Sequence, residues 1–429
     1  MRRILIVGAG QCGLLLGHGL LQAGDYDVTI LSARTPDELR RARPTSTQVM
    51  FGPAVAVERR LGLDLWADDT PAIAGLHWTV AAPPGGDRLD IYGALDAPAR
   101  STDQRVKMAG WLELFEELGG TVRTEETAVS GLDEIAESGR YDLIVIAAGR
   151  GDLTALFDRD PSRSPYTTPQ RGLAAAYVHG MGRDPDTDLW PNVSFTVLPG
   201  AGELILIPAL TTTGQCDILF WESVPGGPLD VFGDRPDPGE HLTRAVGLIG
   251  EHTPWLYERC AHLELTDPHA TLTGRFTPTV RRPVGELPSG GLVLGAADVV
   301  VTNDPIVAQG ANAAARCAAG YLAAILDHGD DPFDRDWMHN TFERFWADTA
   351  EQVTNLTNGM LQPPPEHIQR VLATAAQLPE VAGRLANGFA DPNSLTDWFM
   401  TPDGADRYLG QVAARAGRPA VSASEPPIN

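Results

Sequence analysis

Three glycines near the start of the chain have the types and spacing to do chemistry: Gly8, Gly10 and Gly13 form a G-x-G-x-x-G string. In such a string the first glycine permits a tight turn and the second lets the backbone approach a pyrophosphate. The third lets a helix pack closely on a strand. The N–H groups and dipole at the helix start then favour phosphate charge. The string carries information only between a strand and a helix. Those elements are present: an apolar run at 3–7, an apolar segment from Leu14 that ends at Gly24, and a β-like run at 27–31.

A second constellation lies far along the chain. A buried-strand pattern at 291–297 ends in Asp298, and a loop with Asp304 and Pro305 leads to Gly310-Ala311-Asn312, which opens an Ala-rich helix to about Leu326. A carboxylate at a strand end suits a ribityl hydroxyl, and a helix start suits the partial negative charge of a reduced flavin ring. The strand end at Ser32-Ala33-Arg34 lacks the acid that dinucleotide folds usually place there, and Asp37 and Glu38 come late. Arg34 is therefore the candidate residue on the adenosine side, with a differently arranged ribose end.

The composition narrows the function classes. At 429 residues the chain is long enough for two or three subdomains, and its hydrophobic content of 43% is ordinary for a globular protein. No apolar run is long and unbroken enough to span a bilayer. The formal charge of −23 argues against nucleic acid and anionic membrane as partners. Cys12, Cys216, Cys260 and Cys317 lack C-x-x-C spacing, so packed thiols are expected, with no disulfide framework and no metal site. Arg2-Arg3 before an apolar run could open a signal peptide, but Gly8, Gly10, Gly13 and Gly17 interrupt it. The expectation is the mature N-terminus of a cytoplasmic protein.

The chain order then gives an organisation. Strand-like runs at 73–80 and 89–92 follow a mixed stretch, and a helix is expected from Asp103 to Gly119-Gly120. Residues 141–149 read as a continuous buried strand, and 203–210 with 216–221 as further strands. An amphipathic helix at 334–361 carries Trp337, Phe342, Phe345 and Trp346. A Pro363-Pro364-Pro365 break and shorter helices follow. The expected division is 1–40, 100–164 and 276–330 for a discontinuous nucleotide domain and 41–99 with 165–275 for a β-rich substrate domain. Helices fill 331–417, and 418–429 form a flexible polar tail.

These pieces, taken together, resemble the flavoprotein monooxygenases of the para-hydroxybenzoate hydroxylase fold. Within them the chain is similar to the oxygenase component of styrene and indole monooxygenases. The likeness rests on residues 8–13, 45–50, Ile91-Tyr92-Gly93, Ala97-Pro98-Ala99-Arg100, 141–149, Gly202-Glu203-Leu204, Ile207-Pro208 and 295–312. It implies an α/β fold: a Rossmann-like FAD-binding domain, an inserted β-rich substrate domain and a C-terminal helical segment. By the same resemblance Arg105 lies near the flavin pyrophosphate and Asp298 binds the ribityl chain. Pro305, Gly310, Ala311 and Asn312 form the loop under the isoalloxazine. Ala308 departs from the family, which has glycine there.

The resemblance also implies the chemistry. Reduced FAD would arrive from a separate NADH-dependent flavin reductase and react with O2, and the flavin C4a-hydroperoxide would epoxidise an aryl alkene. Thr47 matches a family position beside the flavin ring and is the candidate for holding the peroxide. Ser46, Gln48 and Met50 stand where the styrene enzymes carry Asn, Val and His; with Ile73 and Ala99 they favour indole, giving indigo precursors, while Leu76 is a mild departure. Ser46 and Gln48 could bond an indole N–H; Met50, Ile73 and Leu76 would present apolar surface, although a plain core strand also explains Met50 and Ile73. A homodimer is among the assemblies the resemblance allows. Rival readings are a styrene-preferring epoxidase, a single-component NAD(P)H-dependent hydroxylase and a non-catalytic flavin-fold protein. A halogenase is disfavoured by the lack of a Trp-x-Trp-x-Ile-Pro string and of a lysine placed for hypohalite.

Overall fold

A computed structural model describes residues 1–81, 88–149, 151–183 and 191–415. The apolar run near the N-terminus forms the strand Arg2–Val7, whose last four residues are buried. It occupies the middle of a six-stranded sheet in the order Val284–Glu286, Leu292–Gly295, Leu143–Ile146, Arg2–Val7, Tyr26–Ser32, Thr121–Thr124. All neighbours are parallel except the first pair. The chain pairs Arg2–Val7 first with Tyr26–Ser32 on one side and later with Leu143–Ile146 on the other. The strand ends at Val7 and Ile146 therefore open a crevice, the place where such sheets bind ligands.

Helix Gln11–Ala23 leaves the glycine turn and ends at Gly24, whose φ of 83° is the left-handed conformation a glycine takes without a Cβ clash. It packs so closely on helix Gly310–Asp327 that a Cβ on Gly19 would lie 2.4 Å from Leu322 Cδ2. The expected strand at 141–149 is shorter, Leu143–Ile146. Its neighbours beyond Ile146 turn over the sheet end, where a Cβ on Gly149 would approach Asp298.

The second sheet runs Glu264–Leu265, Gly172–His179, Gly214–Ser223, Gly202–Thr211, Asn192–Leu198, Ile73–Ala81, Arg88–Ala99, and Thr271–Gly274 also pairs with Gly172–His179. Both faces are apolar, as strand alternation allows. Leu204, Leu206, Leu219 and Trp221 pack on one side with Leu248 and Ile249 of helix Pro238–His252. Ile205, Ile207, Ile218 and Phe220 pack on the other with Ile306, Val307 and the C-terminal helices.

Those helices begin with Arg335–Phe345, which passes through a π-helical turn at Trp346–Ala350 into Glu351–Met360. The long amphipathic helix is thus continuous but widened at its centre. After the three prolines come Glu366–Ala375, Pro379–Ala390 and Pro402–Arg415. Helix Pro379–Ala390 lies on strand Arg88–Ala99, where a Cβ on Gly93 would meet the Ala382 carbonyl at 2.4 Å. The tail 418–429 lies outside the described residues. Among the described residues no helix is long and apolar enough to cross a membrane.

Candidate functional site

The glycine turn has three distinct environments. Gly8 has φ 117°, and a Cβ there would sit 2.8 Å from the Ala148 nitrogen. A Cβ on Gly13 would lie 2.0 Å from the Gly8 carbonyl oxygen, so this glycine lets helix meet strand. A Cβ on Gly10 would meet nothing within 4 Å. The open ground before Gly10, with no capping side chain and no acid in the first helical turn, fits a pyrophosphate. Gln11 is held from behind: its Nε2 donates to Glu58 Oε1 at 2.7 Å, and Glu58 is paired with the buried Lys107.

On the adenosine side, Arg34 is exposed at the end of strand Tyr26–Ser32. It lines a cleft of about 500 Å³ with Glu38, Arg41, Ala42, Arg43, Pro44 and Thr45. Glu38 is spent on its own helix start, accepting from the Thr35 N–H at 2.8 Å and the Thr35 hydroxyl at 3.0 Å. Three guanidiniums therefore surround the place where an acid usually holds the ribose.

Arg105 departs from its expected role. Its Nε donates to Asp103 Oδ2 at 2.8 Å, Nη1 to Asp267 Oδ2 at 2.9 Å and Nη2 to Thr211 Oγ1 at 3.1 Å, with the Ala42 carbonyl at 3.4 Å. Nη2 also lies 2.8 Å from Asp103 Oδ2. Arg105 is 4% exposed, and four hydrogen bonds with one further ion-pair contact engage every nitrogen of its guanidinium. It ties the helix Gln104–Glu117 to the second sheet through Thr211, and its nitrogens are already engaged by protein groups.

At the opposite side of the crevice Asp298 is exposed beside Gly149. The loop 304–310 then runs from Asp304, whose Oδ1 accepts from the Ile306 N–H, to Gly310. Ala308 has φ 52° and ψ 30°, the left-handed conformation for which the family's glycine is suited. Gly310 is exposed, with open space where a Cβ would stand, and Ala311 follows it half-buried. Pro305 is half-buried, and Asn312 is 1% exposed. The Asn312 side chain is fully engaged: Nδ2 donates to the carbonyls of Val49 at 2.8 Å and Ala308 at 3.0 Å, and Oδ1 accepts from Phe51 N–H at 2.8 Å. Its side chain acts on protein backbone, which leaves backbone groups to face a cofactor.

The residues expected around a substrate divide between two sides. Ile73, Leu76 and Ala99 are fully buried in one apolar layer with Val49, Phe51, Ile306 and Val307, and Ile73 stands opposite Ala99 across the strands. Met50 instead packs in the core around the six-stranded sheet, a correction to its place beside Ile73 and Leu76. The chain is extended there, paired with Arg100, so successive side chains point to opposite faces. Gln48 is 4% exposed; its Nε2 donates to the Thr102 carbonyl, and its Oε1 has no partner among the described residues. The Ser46 hydroxyl donates to the Thr47 carbonyl at 2.8 Å, and the Tyr177 hydroxyl donates to the Ser46 carbonyl at 3.2 Å. Thr47 is half-buried.

Comparison with known proteins places this architecture. The chain is 30% identical over 422 residues to a styrene monooxygenase StyA of Pseudomonas sp, covering 96% of this chain and 98% of that protein. It is also 30% identical over 424 residues to StyA of Pseudomonas fluorescens, with the same coverage. The chain belongs to the styrene monooxygenase StyA family. Residues 149–259 match the family described as "Styrene monooxygenase A putative substrate binding domain". That span contains the central strands of the second sheet.

The fold of this StyA-family chain is shared with flavin-dependent enzymes of several chemistries. The flavin-dependent brominase Bmp2 superposes with a TM-score of 0.67 at 15% identity, covering 96% of this chain and 99% of that one. The 2-methyl-3-hydroxypyridine-5-carboxylic acid oxygenase gives 0.55 at 14%, covering 92% and 97%. Such identities show the para-hydroxybenzoate hydroxylase type of fold alone. Arg41, Arg43 and the Gln11–Glu58–Lys107 chain went unnoticed in the sequence. The arginines were legible as a basic run, Arg40-Arg41-Ala42-Arg43, just past the second strand. The Glu58–Lys107 pair joins residues 49 positions apart, with two strands between them, and leaves no local signal.

Proposed function

We propose that this chain uses reduced FAD, delivered by an NADH-dependent flavin reductase in the cytoplasm, and O2 to epoxidise indole in preference to styrene-like aryl alkenes. The observation that carries the substrate reading is Gln48 Oε1, a buried acceptor without a partner, which an indole N–H can satisfy and styrene cannot. Residues 1–40, 100–164 and 276–330 serve the flavin; 41–99 and 165–275 serve the substrate. The N–H groups behind Gly10 bind the pyrophosphate, Arg34 with Arg41 and Arg43 attracts the adenylate end, and Asp298 accepts from the ribityl chain. The start of helix Gly310–Asp327 faces the ring, since it carries no acid and no capping side chain.

Bound reduced FAD supplies the oxygen-activating chemistry, and the protein supplies position and dryness. The Thr47 hydroxyl donates to the oxygen being transferred. The apolar layer of Ile73, Leu76, Ala99, Ile306 and Phe389, closed by the C-terminal helices, keeps out water that would divert the oxygen to hydrogen peroxide. An alkene attacks an electrophilic oxygen without losing a proton, so no base is required. Lys107 is the only lysine of the chain and is locked to Glu58, which supports an oxygenase over a halogenase reading. The test is chemically reduced FAD, O2 and either indole or styrene, with no reductase. Blue pigment from indole and faster indole turnover are expected. Oxidation that requires NADH or NADPH added directly to this chain would overturn the two-component reading.

A further inference from the structure

Glu222 has no task in the reading above. It lies on strand Gly214–Ser223 with 0% exposure, and neither carboxyl oxygen has a hydrogen-bond partner among the described residues. Strand alternation puts it on the face of Ile218 and Phe220, toward the flavin loop. Glu203 stands directly opposite on the neighbouring strand. Arg171 grips Glu203 in a fork, Nε to Oε2 at 2.7 Å and Nη2 to Oε1 at 2.9 Å, and so is already spent. The fourth member is Asp304, 3% exposed, the first residue of the loop that leads to Gly310. The next charged pair outward, Asp230 with Arg275, closes on itself beside Ser223.

Three carboxyls therefore share one guanidinium, and Asp304 and Glu222 are left without a cation. Burial first, then the charges of Asp304 and Glu203, push the Glu222 carboxyl well above its usual range against the pull of Arg171. Burial likewise lifts Asp304 to about 6, opposed by Arg171 and its backbone bond to Ile306. Ionising both would set like charges together in low dielectric with no donor to offset them.

We propose that Glu222 and Asp304 form a proton-linked latch on the loop 304–310, which keeps its flavin-binding shape while Glu222 is neutral and loosens when both are ionised. The inference rests on the flavin reading above. Both groups have folded-state pKa values raised over their unfolded values, so their favourable contribution is present at low pH. It is lost as pH rises through the folded-state values, first that of Asp304 near 6 and then that of Glu222.

The test is the affinity for oxidised FAD by fluorescence titration from about pH 6 to about pH 9.5, with thermal unfolding at each pH, for wild type, Glu222→Gln and Glu222→Met. Wild-type affinity should fall on the alkaline side by at most about tenfold per pH unit for one proton. Both variants should bind FAD with a flat profile, and Glu222→Met, which buries no unpaired oxygen, should unfold at a higher temperature than wild type above neutral pH. A Glu222 that merely fills space would shift affinity equally at all pH values and leave the slope. An unchanged alkaline fall in both variants, or failure of both to fold, overturns the latch. Absence of FAD binding by wild type at every pH overturns the flavin reading instead, and the latch with it.

Discussion

The Asn312 side-chain oxygen accepts the Phe51 N–H at 2.8 Å while the Asn312 amide donates to the Val49 carbonyl at 2.8 Å. One side chain at the start of helix Gly310–Asp327 thus fixes two peptide groups of the segment that precedes helix Gly52–Arg60. The loop 304–310 and the segment carrying Gln48 are held as one piece, because the third bond, to Ala308, fastens the loop as well.

Truncating that side chain should separate them. Asn312→Ala leaves a buried N–H and a buried carbonyl unpaired, and each costs about 1–3 kcal/mol. Unfolding in urea should show a total loss of about 2–6 kcal/mol. A loss below about 0.5 kcal/mol would mean that water or a shifted backbone replaces the bonds.

The glycine turn allows a sharper contrast. Gly10→Val puts its side chain into open space where the pyrophosphate must lie, so the chain should fold with near wild-type stability and lose FAD affinity. Gly13→Val would drive a side chain into the Gly8 carbonyl, 2.0 Å from the first added carbon, and should fail to fold. Circular dichroism and FAD titration on both variants check this; equal FAD affinity in Gly10→Val and wild type would remove the turn from the cofactor site.

The parts of this site made from consecutive residues were readable in the sequence, and those made from distant partners were not. Gly8, Gly10 and Gly13 stand between an apolar strand and an apolar helix, so local pattern states their position in the fold. Met50 is an apolar residue in an apolar stretch, and nothing in its neighbours says which of two faces it takes. The bridge to Arg100 sets that. Arg105 has the right type to hold a phosphate, yet Asp267 occupies it from 162 positions away. Glu222 reads as a polar end to a strand, and only the folded sheet sets it against Glu203 and near Asp304.

Arg105 therefore predicts a stability defect more than a binding defect. Arg105→Met leaves Asp103 and Asp267 without their cation in the interior, a loss expected to cost about 3–5 kcal/mol. Measured on the folded fraction at low temperature, FAD affinity should change by less than about threefold, since a change of that size is well under 1 kcal/mol. A stable variant with an affinity loss of about a hundredfold or more would return Arg105 to the pyrophosphate.

The proposed substrate preference rests on Gln48, whose two amide ends are in different states. Nε2 is committed to the Thr102 carbonyl, which fixes the amide plane and turns Oε1 into a buried acceptor without a donor. Indole brings an N–H to that acceptor; styrene, of similar breadth, leaves it unpaired. A net hydrogen bond is worth about 0.5–1.5 kcal/mol, so the indole preference from this atom is a few-fold to about tenfold. Gln48→Met keeps the length of the side chain and removes the acceptor. It should narrow the indole-over-styrene ratio by that factor, mainly by slowing indole. Met50→Leu is the control, because Met50 packs under the nucleotide sheet and should leave the ratio within about twofold, an energy difference below 0.5 kcal/mol. Competition between the two substrates, with chemically reduced FAD so that no reductase limits the rate, reads the ratio directly. If Met50→Leu moved the ratio and Gln48→Met did not, the Gln48 acceptor would not be what selects the substrate.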